Sequence, residues 1–180
     1  MKDSKDIKFV LELFNSNKLI EAKQEINKQI KKNPQSSILL NILGAVYAGQ
    51  NQINKAIENY KEAIKIDPNY AQAYNNLGAA FHKLNKVDEA ILSYKKAIYL
   101  KNDFAEAFNN LGNAFRESDK PKEALKYFEK ALTFKNDYAE AHNNMGAAYE
   151  TLGDKNKALD NYERAIAIKP DYAEVYNNLG

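Results

Sequence analysis

The sequence contains no cysteine and no tryptophan, and its 180 residues include only four prolines and seven glycines. The lack of cysteine excludes disulfide frameworks, thiolate metal sites and cysteine nucleophiles. The first residues carry charges where a secretory signal needs an apolar run, and no stretch is apolar for long enough to predict a membrane span. We therefore expect a cytoplasmic protein with no membrane contact.

The chain also lacks a strong charge of either sign, since its formal net charge is only +2. Nonspecific nucleic-acid binding needs a strongly basic stripe, so we predict no nucleic-acid partner. Nothing resembles a P-loop, a dinucleotide-binding glycine turn, a nucleophile elbow or a group of metal ligands. We predict that the chain is not an enzyme by itself and that it has no cofactor and no metal site.

What the sequence does have is a ten-residue stretch, residues 103–112, that recurs at intervals of 34 residues. A fixed period of this kind is typical of repeat proteins, which are built and stabilised unit by unit. We predict six segments: a degenerate N-terminal capping repeat at 1–36, full repeats at 37–70, 71–104, 105–138 and 139–172, and the truncated first helix of a further repeat at 173–180.

Each full repeat has the pattern of two antiparallel helices, here called the first and second helix, joined by a short turn. In the repeat at 71–104, Tyr74, Leu77 and Phe81 lie on one side of the first helix. Gly78 is small where a large residue would otherwise stand, which lets the two helices approach closely. Pro121 falls in the first turn of a second helix, where its missing N–H costs little.

The starts of the first helices carry a repeated acidic pattern. An Asp followed three residues later by Glu predicts a capping box. The three pairs are Asp103 with Glu106, Asp137 with Glu140, and Asp171 with Glu174. We expect Glu106 and Glu140 to be capping residues first and charges on the groove second.

The small and aromatic residues of the period resemble those of the tetratricopeptide repeat (TPR) family. The matching residues in one unit are Tyr74, Leu77, Gly78, Phe81, Ala90, Tyr94 and Ala97. The resemblance covers residues 37–180 well and 3–36 weakly. It implies an all-α fold, a right-handed superhelical solenoid of stacked antiparallel helix pairs with about 11 helices, whose first helices line a concave groove. The Asn-Asn-Leu-Gly units preceded by Ala-Glu-Ala most resemble the arrays of O-GlcNAc-transferase-type and bacterial TPR proteins.

On the first helix of each repeat, one line of side chains lies opposite the apolar stripe, and we call it the polar line. It comprises Gln72, Asn76, Ala79 and Lys83, then Glu106, Asn110, Asn113 and Glu117, then Glu140, Asn144, Ala147 and Thr151. Four asparagines recur in it, and we call them the ladder asparagines: Asn76, Asn110, Asn144 and Asn178.

The ladder asparagines are the predicted peptide-binding residues. An amide donates and accepts, so it can pair with the backbone of an extended peptide of any sequence. Neighbouring helices lie ~8–10 Å apart, close to three residues of extended chain. In O-GlcNAc-transferase-like arrays the matching asparagines serve this purpose, and the resemblance carries it to these four. Alternatively, they bond neighbouring backbone or persist from repeat duplication.

Other residues of the same helices divide into binding and structural candidates. His82, Arg116 and Glu150 differ at one equivalent place on the groove edge, which suits a surface that recognises something particular but is also explained by drift. With Lys83, Asn113 and Glu117 they complete the predicted groove. We predict structural roles for His142, as a packed histidine, and for the asparagines that precede the ladder: Asn75, Asn109 and Asn143.

The pattern favours a protein-interaction scaffold that holds an extended peptide or partner segment in its groove. A second hypothesis is the N-terminal, substrate-recruiting part of a larger enzyme such as a glycosyltransferase. A third is end-to-end self-association through Tyr176 and Leu179, which have no second helix packed beyond them.

Overall fold

The computed structural model of the chain describes residues 2–179, and side chains from residue 6 to residue 178. Within residues 2–179 it contains eleven α-helices and no strand, which confirms the all-α prediction and the expected number of helices. The helices are α1 Lys2–Asn15, α2 Leu19–Lys32, α3 Ser37–Gly49, α4 Ile53–Ile66, α5 Ala71–Lys83, α6 Val87–Leu100, α7 Ala105–Glu117, α8 Pro121–Phe134, α9 Ala139–Thr151, α10 Lys155–Ile168 and α11 Ala173–Leu179. The division into six repeat segments stays a prediction.

Within each repeat, the turn between the two helices depends on one residue with left-handed backbone conformation. Five residues with positive φ recur at the 34-residue period: Asn17, Asn51, Asn85, Asp119 and Gly153. At Gly153, the backbone N–H donates to the carbonyl of Glu150, and the N–H of Asp154 donates to the carbonyl of Tyr149. These two bonds form a Schellman motif, which satisfies carbonyls at the end of the first helix and reverses the chain.

The predicted capping boxes do not form at the starts of α7 and α9. The residues in the cap position are Phe104 and Tyr138, one residue later than predicted, and neither side chain makes a capping hydrogen bond. The aromatic rings take this position because they are buried, with 4% and 8% of their surface exposed. Glu106 and Glu140 are therefore exposed carboxylates and are not members of a capping box. By contrast, Pro121 is the first residue of α8, as predicted.

The chain forms two compact units, Met1–Glu89 and Ala90–Gly180, and the boundary between them falls within α6. In the first unit, α3 packs against α2 and α4, and α4 packs against α5. In the second unit, α7 packs against α8, α9 against α8 and α10, and α10 against α11. Each unit therefore has its own core, formed by side chains of helices that follow one another in the chain.

A glycine against an aromatic ring sets the distance between the helices of a pair. A Cβ atom at Gly112 would lie 2.6 Å from Cε1 of Phe128, and one at Gly146 would lie 2.5 Å from Cε1 of Tyr162. Both rings are fully buried, so they have little room to move. This arrangement agrees with the prediction that the small residue permits close approach of the two helices.

The pair α1–α2 achieves the same contact without a glycine. Val10 occupies the place of the glycine and Ile26 the place of the aromatic residue, and both are fully buried. In this pair each helix contributes one medium-sized side chain, whereas in the later pairs one helix contributes a glycine and the other a large aromatic ring. The adjoining Gln29 is also buried, and its Nε2 donates to the carbonyl of Asp6 at 3.2 Å.

Candidate functional site

In the unit Met1–Glu89, the polar line contains a hydrogen-bonded chain of amides. Nδ2 of Asn76 on α5 donates to Oδ1 of Asn41 on α3 at 3.0 Å. Nε2 of Gln72 donates to Oδ1 of Asn76, also at 3.0 Å. Asn41 is buried, and its own Nδ2 donates to the hydroxyl of Tyr70 at 3.4 Å. The ladder residue Asn76 is therefore tied to the preceding first helix.

In the unit Ala90–Gly180, the same bond occurs twice. Nδ2 of Asn144 on α9 donates to Oδ1 of Asn109 on α7, and Nδ2 of Asn178 on α11 donates to Oδ1 of Asn143 on α9, each at 3.0 Å. Asn109 and Asn143 are buried, with 5% and 2% of their surface exposed. Asn110 is half-buried and also has an interaction partner.

These bonds give both sets of asparagines a structural role. The predicted structural role of Asn109 and Asn143 is supported by their burial and by the hydrogen bonds that they accept from the next first helix. The bonds also give Asn76, Asn144 and Asn178 a structural role, which was the alternative to peptide binding, although their partners are side chains and not backbone. Peptide binding by these residues stays a prediction. The bond uses one N–H of each amide, and a side-chain amide has a second N–H donor and an oxygen acceptor.

Arg116 is held in place by its neighbours on α7. Its Nη2 donates to Oδ1 of Asn113 at 2.8 Å, and Nδ2 of Asn113 donates to Oε1 of Glu117 at 3.0 Å. Nε of Arg116 is buried and is the one such side-chain nitrogen or oxygen, among the side chains that the structure describes, without a hydrogen-bond partner. Three predicted groove residues thus form one network with a cation at one end and a carboxylate at the other.

Glu150 occupies the place of Arg116 in the next repeat and is bonded in a different way. The hydroxyl of Tyr162 donates to Oε2 of Glu150 at 3.0 Å. Burial of the Tyr162 hydroxyl, followed by the neighbouring Glu150 carboxylate, raises the pKa of the tyrosine. Glu150 itself remains exposed. In the other unit, His82 is half-buried and has an interaction partner, and Lys83 is exposed.

Glutamates lie near the hydroxyls of Tyr138 and Tyr172 in the unit Ala90–Gly180, an arrangement that was not predicted from the sequence. Burial raises the pKa of Tyr138, and Glu140 and Glu106 raise it further. Burial, Glu174 and Glu140 raise the pKa of Tyr172 to about 12. Oε1 of Glu174 also accepts a hydrogen bond from Asn143 at 3.1 Å. The signal for this arrangement is the recurrence of Glu at one place in three successive units.

His142 is a packed histidine, as predicted. Only 7% of its surface is exposed, and its Nδ1 lies 3.2 Å from Oδ1 of Asn161. Among the described residues, no group of three or more histidine, aspartate or glutamate side chains is arranged to hold a metal ion. No helix within residues 2–179 has both the length and the apolar character needed to cross a membrane.

The residues predicted for self-association lie on α11. Half of the Tyr176 surface is exposed, and its hydroxyl donates to the carbonyl of Pro170 at 3.0 Å. The side chain of Leu179 lies outside the described residues. Val175 of α11 is fully buried and packs with Ala158 and Tyr162 of α10.

The repeated helix pair with a glycine packed on an aromatic ring defines a class, the helical-repeat proteins, and sequence comparisons identify the family. A family model described as TPR repeat matches residues 44–85 and 80–119, and one described as Tetratricopeptide repeat matches residues 103–171. Together the matches extend from residue 44 to residue 171, and the chain belongs to the TPR family. No curated protein matches the chain.

Solved structures agree with the family. The crystal structure of MamA is 26% identical, with coverage of 91% of this chain and 95% of MamA and a TM-score of 0.75. PilF of Pseudomonas aeruginosa is 22% identical, with coverage of 96% and 78% and a TM-score of 0.87. YrrB, described as a TPR protein with an unusual peptide-binding site, is 22% identical, with coverage of 96% and 89% and a TM-score of 0.72. The fold is an all-α TPR solenoid, and TPR proteins are typically scaffolds for protein–protein interaction.

Proposed function

We propose that this chain is an interaction scaffold that binds an extended segment of a partner protein along the polar line of its first helices. The observation that supports the proposal is the fixed position of the ladder amides. Asn76, Asn144 and Asn178 each donate one hydrogen bond to the preceding first helix while part of each side chain remains exposed. Such fixed amides lose little conformational entropy when a ligand binds, which favours affinity.

The remaining capacity of each amide matches a peptide backbone. The side chain of asparagine has two N–H donors and an oxygen with two lone pairs, and the bond to the preceding helix uses one N–H. At Asn76 the oxygen accepts from Gln72, an exposed bond that a peptide N–H could replace. Pairing with the backbone would be independent of the peptide sequence.

Sequence preference would then come from the charged residues beside the ladder. In the unit Ala90–Gly180 these are Arg116, Glu117 and Glu150. Arg116 is oriented through Asn113, so its guanidinium loses less freedom when it meets a carboxylate than a mobile side chain would. Glu117 and Glu150 are exposed and suit basic side chains of the same partner segment.

The test is selection of peptides from a random-peptide display library with the intact chain, followed by affinity measurements on variants. We expect Asn113→Ala and Glu117→Ala to weaken binding of a selected peptide at least about tenfold, the usual effect of removing a central contact. Lys126→Ala, an exposed change on the second helix α8, is the matched control and should leave the affinity within about twofold. Equal losses in all three variants would contradict the proposal.

Recruitment of substrates to a larger enzyme, such as a glycosyltransferase, is the alternative form of the same function. What supports it is the resemblance of the Asn-Asn-Leu-Gly units to the arrays of O-GlcNAc-transferase-type proteins. The similarity to MamA, PilF and YrrB does not bear on this alternative. Reading the gene for an adjoining catalytic domain would decide between the two forms. A cytoplasmic location belongs to the proposal as well, and cell fractionation tests it.

A further inference from the structure

Acidic residues are concentrated on the first helices of the unit Ala90–Gly180. Helices α7, α9 and α11 contain five glutamates and one arginine, whereas the second helices α8 and α10 contain six lysines or arginines and four acidic residues. In the unit Met1–Glu89, the first helices α3 and α5 contain no acidic residue. The negative charge therefore lies on the helices of this unit that carry the polar line, in a chain whose formal net charge is +2.

Three of these glutamates recur at one place, and we call them the ladder glutamates: Glu106, Glu140 and Glu174. Each is the second residue of its first helix, and each is exposed. The ladder asparagine of the same helix follows four residues later. Because residues four apart lie on the same side of a helix, the carboxylates are aligned beside the amides.

Contacts between successive first helices hold the carboxylates and the amides together. Nδ2 of the buried Asn143 on α9 donates to Oε1 of Glu174 at 3.1 Å, and its Oδ1 accepts from Nδ2 of Asn178 at 3.0 Å. One buried asparagine thus binds a glutamate and an asparagine of the next first helix. A carboxylate that is already oriented loses less conformational entropy on meeting a ligand than a mobile one does.

The carboxylates also act together along the polar line. Burial, followed by Glu174 and Glu140, raises the pKa of Tyr172 to about 12. Burial, followed by Glu140 and Glu106, raises the pKa of Tyr138. Each tyrosine hydroxyl is therefore within the field of two successive ladder glutamates. A surface with such a field favours a ligand of positive charge over a neutral or an acidic one.

The spacing of the repeats sets the spacing of the cations that would meet these carboxylates. Neighbouring helices lie ~8–10 Å apart. A segment in the polyproline II conformation rises about 3.1 Å per residue with about three residues per turn, so every third side chain returns to the same side about 9 Å further on. Lysine or arginine at every third residue would thus reach one ladder glutamate per repeat.

We propose that the segment bound by the unit Ala90–Gly180 is basic, with lysine or arginine at every third residue, and that successive cations pair with Glu106, Glu140 and Glu174. This inference rests on the proposed function, because the ladder asparagines supply the backbone contacts of the same segment. Arg116 lies at the opposite end of α7 from Glu106, so a partner carboxylate that meets Arg116 is compatible with these basic side chains.

Selection of peptides from a random library separates this inference from the proposed function. We expect the peptides that bind the intact chain to be enriched in lysine and arginine at positions three residues apart. Peptides that lack this enrichment but whose binding is weakened by Asn113→Ala would support the proposed function and overturn the basic partner. A library from which no peptide binds would overturn both.

Substitution of the ladder glutamates tests the pairing itself. The triple variant Glu106→Gln, Glu140→Gln and Glu174→Gln should bind a selected peptide at least about tenfold more weakly and lose most of the salt dependence of the affinity. Glutamine keeps an oxygen that can accept from Asn143, and circular dichroism shows that the variant is folded. Glu163→Gln, an exposed change on the second helix α10, is the matched control and should stay within about twofold. Unchanged affinity of the triple variant, or an equal loss in the control, overturns the proposal.

A peptide isomer tests the spacing of the cations. In the isomer, the lysines of a selected peptide are moved together to one end, so that composition and net charge stay the same. Fluorescence anisotropy should show binding at least about tenfold weaker than that of the selected peptide, because only one ladder glutamate is then within reach. Equal affinity of the two peptides overturns the three-residue spacing.

Discussion

The pairs α1–α2 and α7–α8 make the same helix–helix contact with different side chains. In the first pair two medium-sized residues meet, Val10 and Ile26, and in the second a glycine meets a large ring, Gly112 and Phe128. All four are buried or enclosed. The comparison indicates that the summed volume at the contact is what the fold requires, and that the glycine is needed only where its partner is aromatic.

The polar lines of the two units also differ. At one equivalent place the unit Met1–Glu89 has Ile38 and Gln72, whereas the unit Ala90–Gly180 has Glu106, Glu140 and Glu174. The bond between asparagines of successive first helices is nevertheless present in both units. The scaffold of amides is thus common to the units, and the charge beside it is not.

The largest effect is expected at the glycine contact. Gly112→Ala adds a Cβ atom 2.6 Å from the Phe128 ring. Overpacking of about 3 kcal/mol, offset by about 1 kcal/mol of helix propensity, should lower the free energy of unfolding by about 2 kcal/mol. Denaturant unfolding followed by circular dichroism measures it.

A double-mutant cycle compares this contact with that of the first pair directly. If volume governs, Gly112→Val combined with Phe128→Ile should cost clearly less than the sum of the two single changes. Gly49→Ala is the control, because the nearest atom to its new Cβ, at 3.1 Å, is Cδ1 of the flexible Leu19 side chain. Additive costs would contradict the volume explanation.

The next largest effect is expected at the asparagine bonds. Asn144→Ala removes the donor to the buried oxygen of Asn109, and Asn76→Ala does the same to Asn41. Each change should cost about 1–2 kcal/mol, since a buried acceptor loses its partner. Thermal and denaturant unfolding measure the loss, and the exposed Thr151→Ala is the control. A cost in one unit and none in the other would show that the bond is structural in that unit alone.

A smaller effect is expected at the turns with left-handed backbone. Asp119→Gly should raise the free energy of unfolding by about 0.5 kcal/mol, because glycine adopts positive φ without steric cost. Gly153→Ala should lower it by about 1 kcal/mol for the opposite reason. Shifts of the same sign in both variants would contradict the assignment of these turns.

The smallest effect, absent at neutral pH, is expected from the tyrosines. Burial raises the pKa of Tyr70 and, with Glu174 and Glu140, raises that of Tyr172 to about 12. A raised pKa contributes stability that is fully present below the unfolded value near 10 and is lost as the pH rises through the folded value. Stability should therefore fall above about pH 10. Tyr172→Phe should reduce that fall more than Tyr70→Phe, as pH-dependent denaturant unfolding would measure.

Much of this fold could be predicted from the sequence. The period, the helical spacing of apolar residues and Pro121 at the start of α8 are local features, so one sequence is enough to find them. The position of Gly78 in the period indicated a close helix contact, which the structure gives at Gly44, Gly112 and Gly146.

The missed features depend on register or on competition between groups. The bond between Asn144 and Asn109 requires the relative shift of two helices, which no single repeat contains. The capping prediction failed because burial of Phe104 and Tyr138 outweighed the capping preference of the preceding aspartates. The left-handed residue of the turn was not predicted from the sequence, because the residue type at that position varies among Asn, Asp and Gly.

The central claim is that the ladder asparagines contact a bound segment, and side-chain amide NMR during titration with a selected peptide tests it most directly. Asn59 and Asn161 are internal controls, because their amides donate to carbonyls of their own second helices. The side-chain amide signals of Asn76 and Asn144 are expected to shift with saturating peptide, while those of Asn59 and Asn161 stay in place. Shifts confined to the two second-helix asparagines, with the ladder signals unchanged, would contradict it.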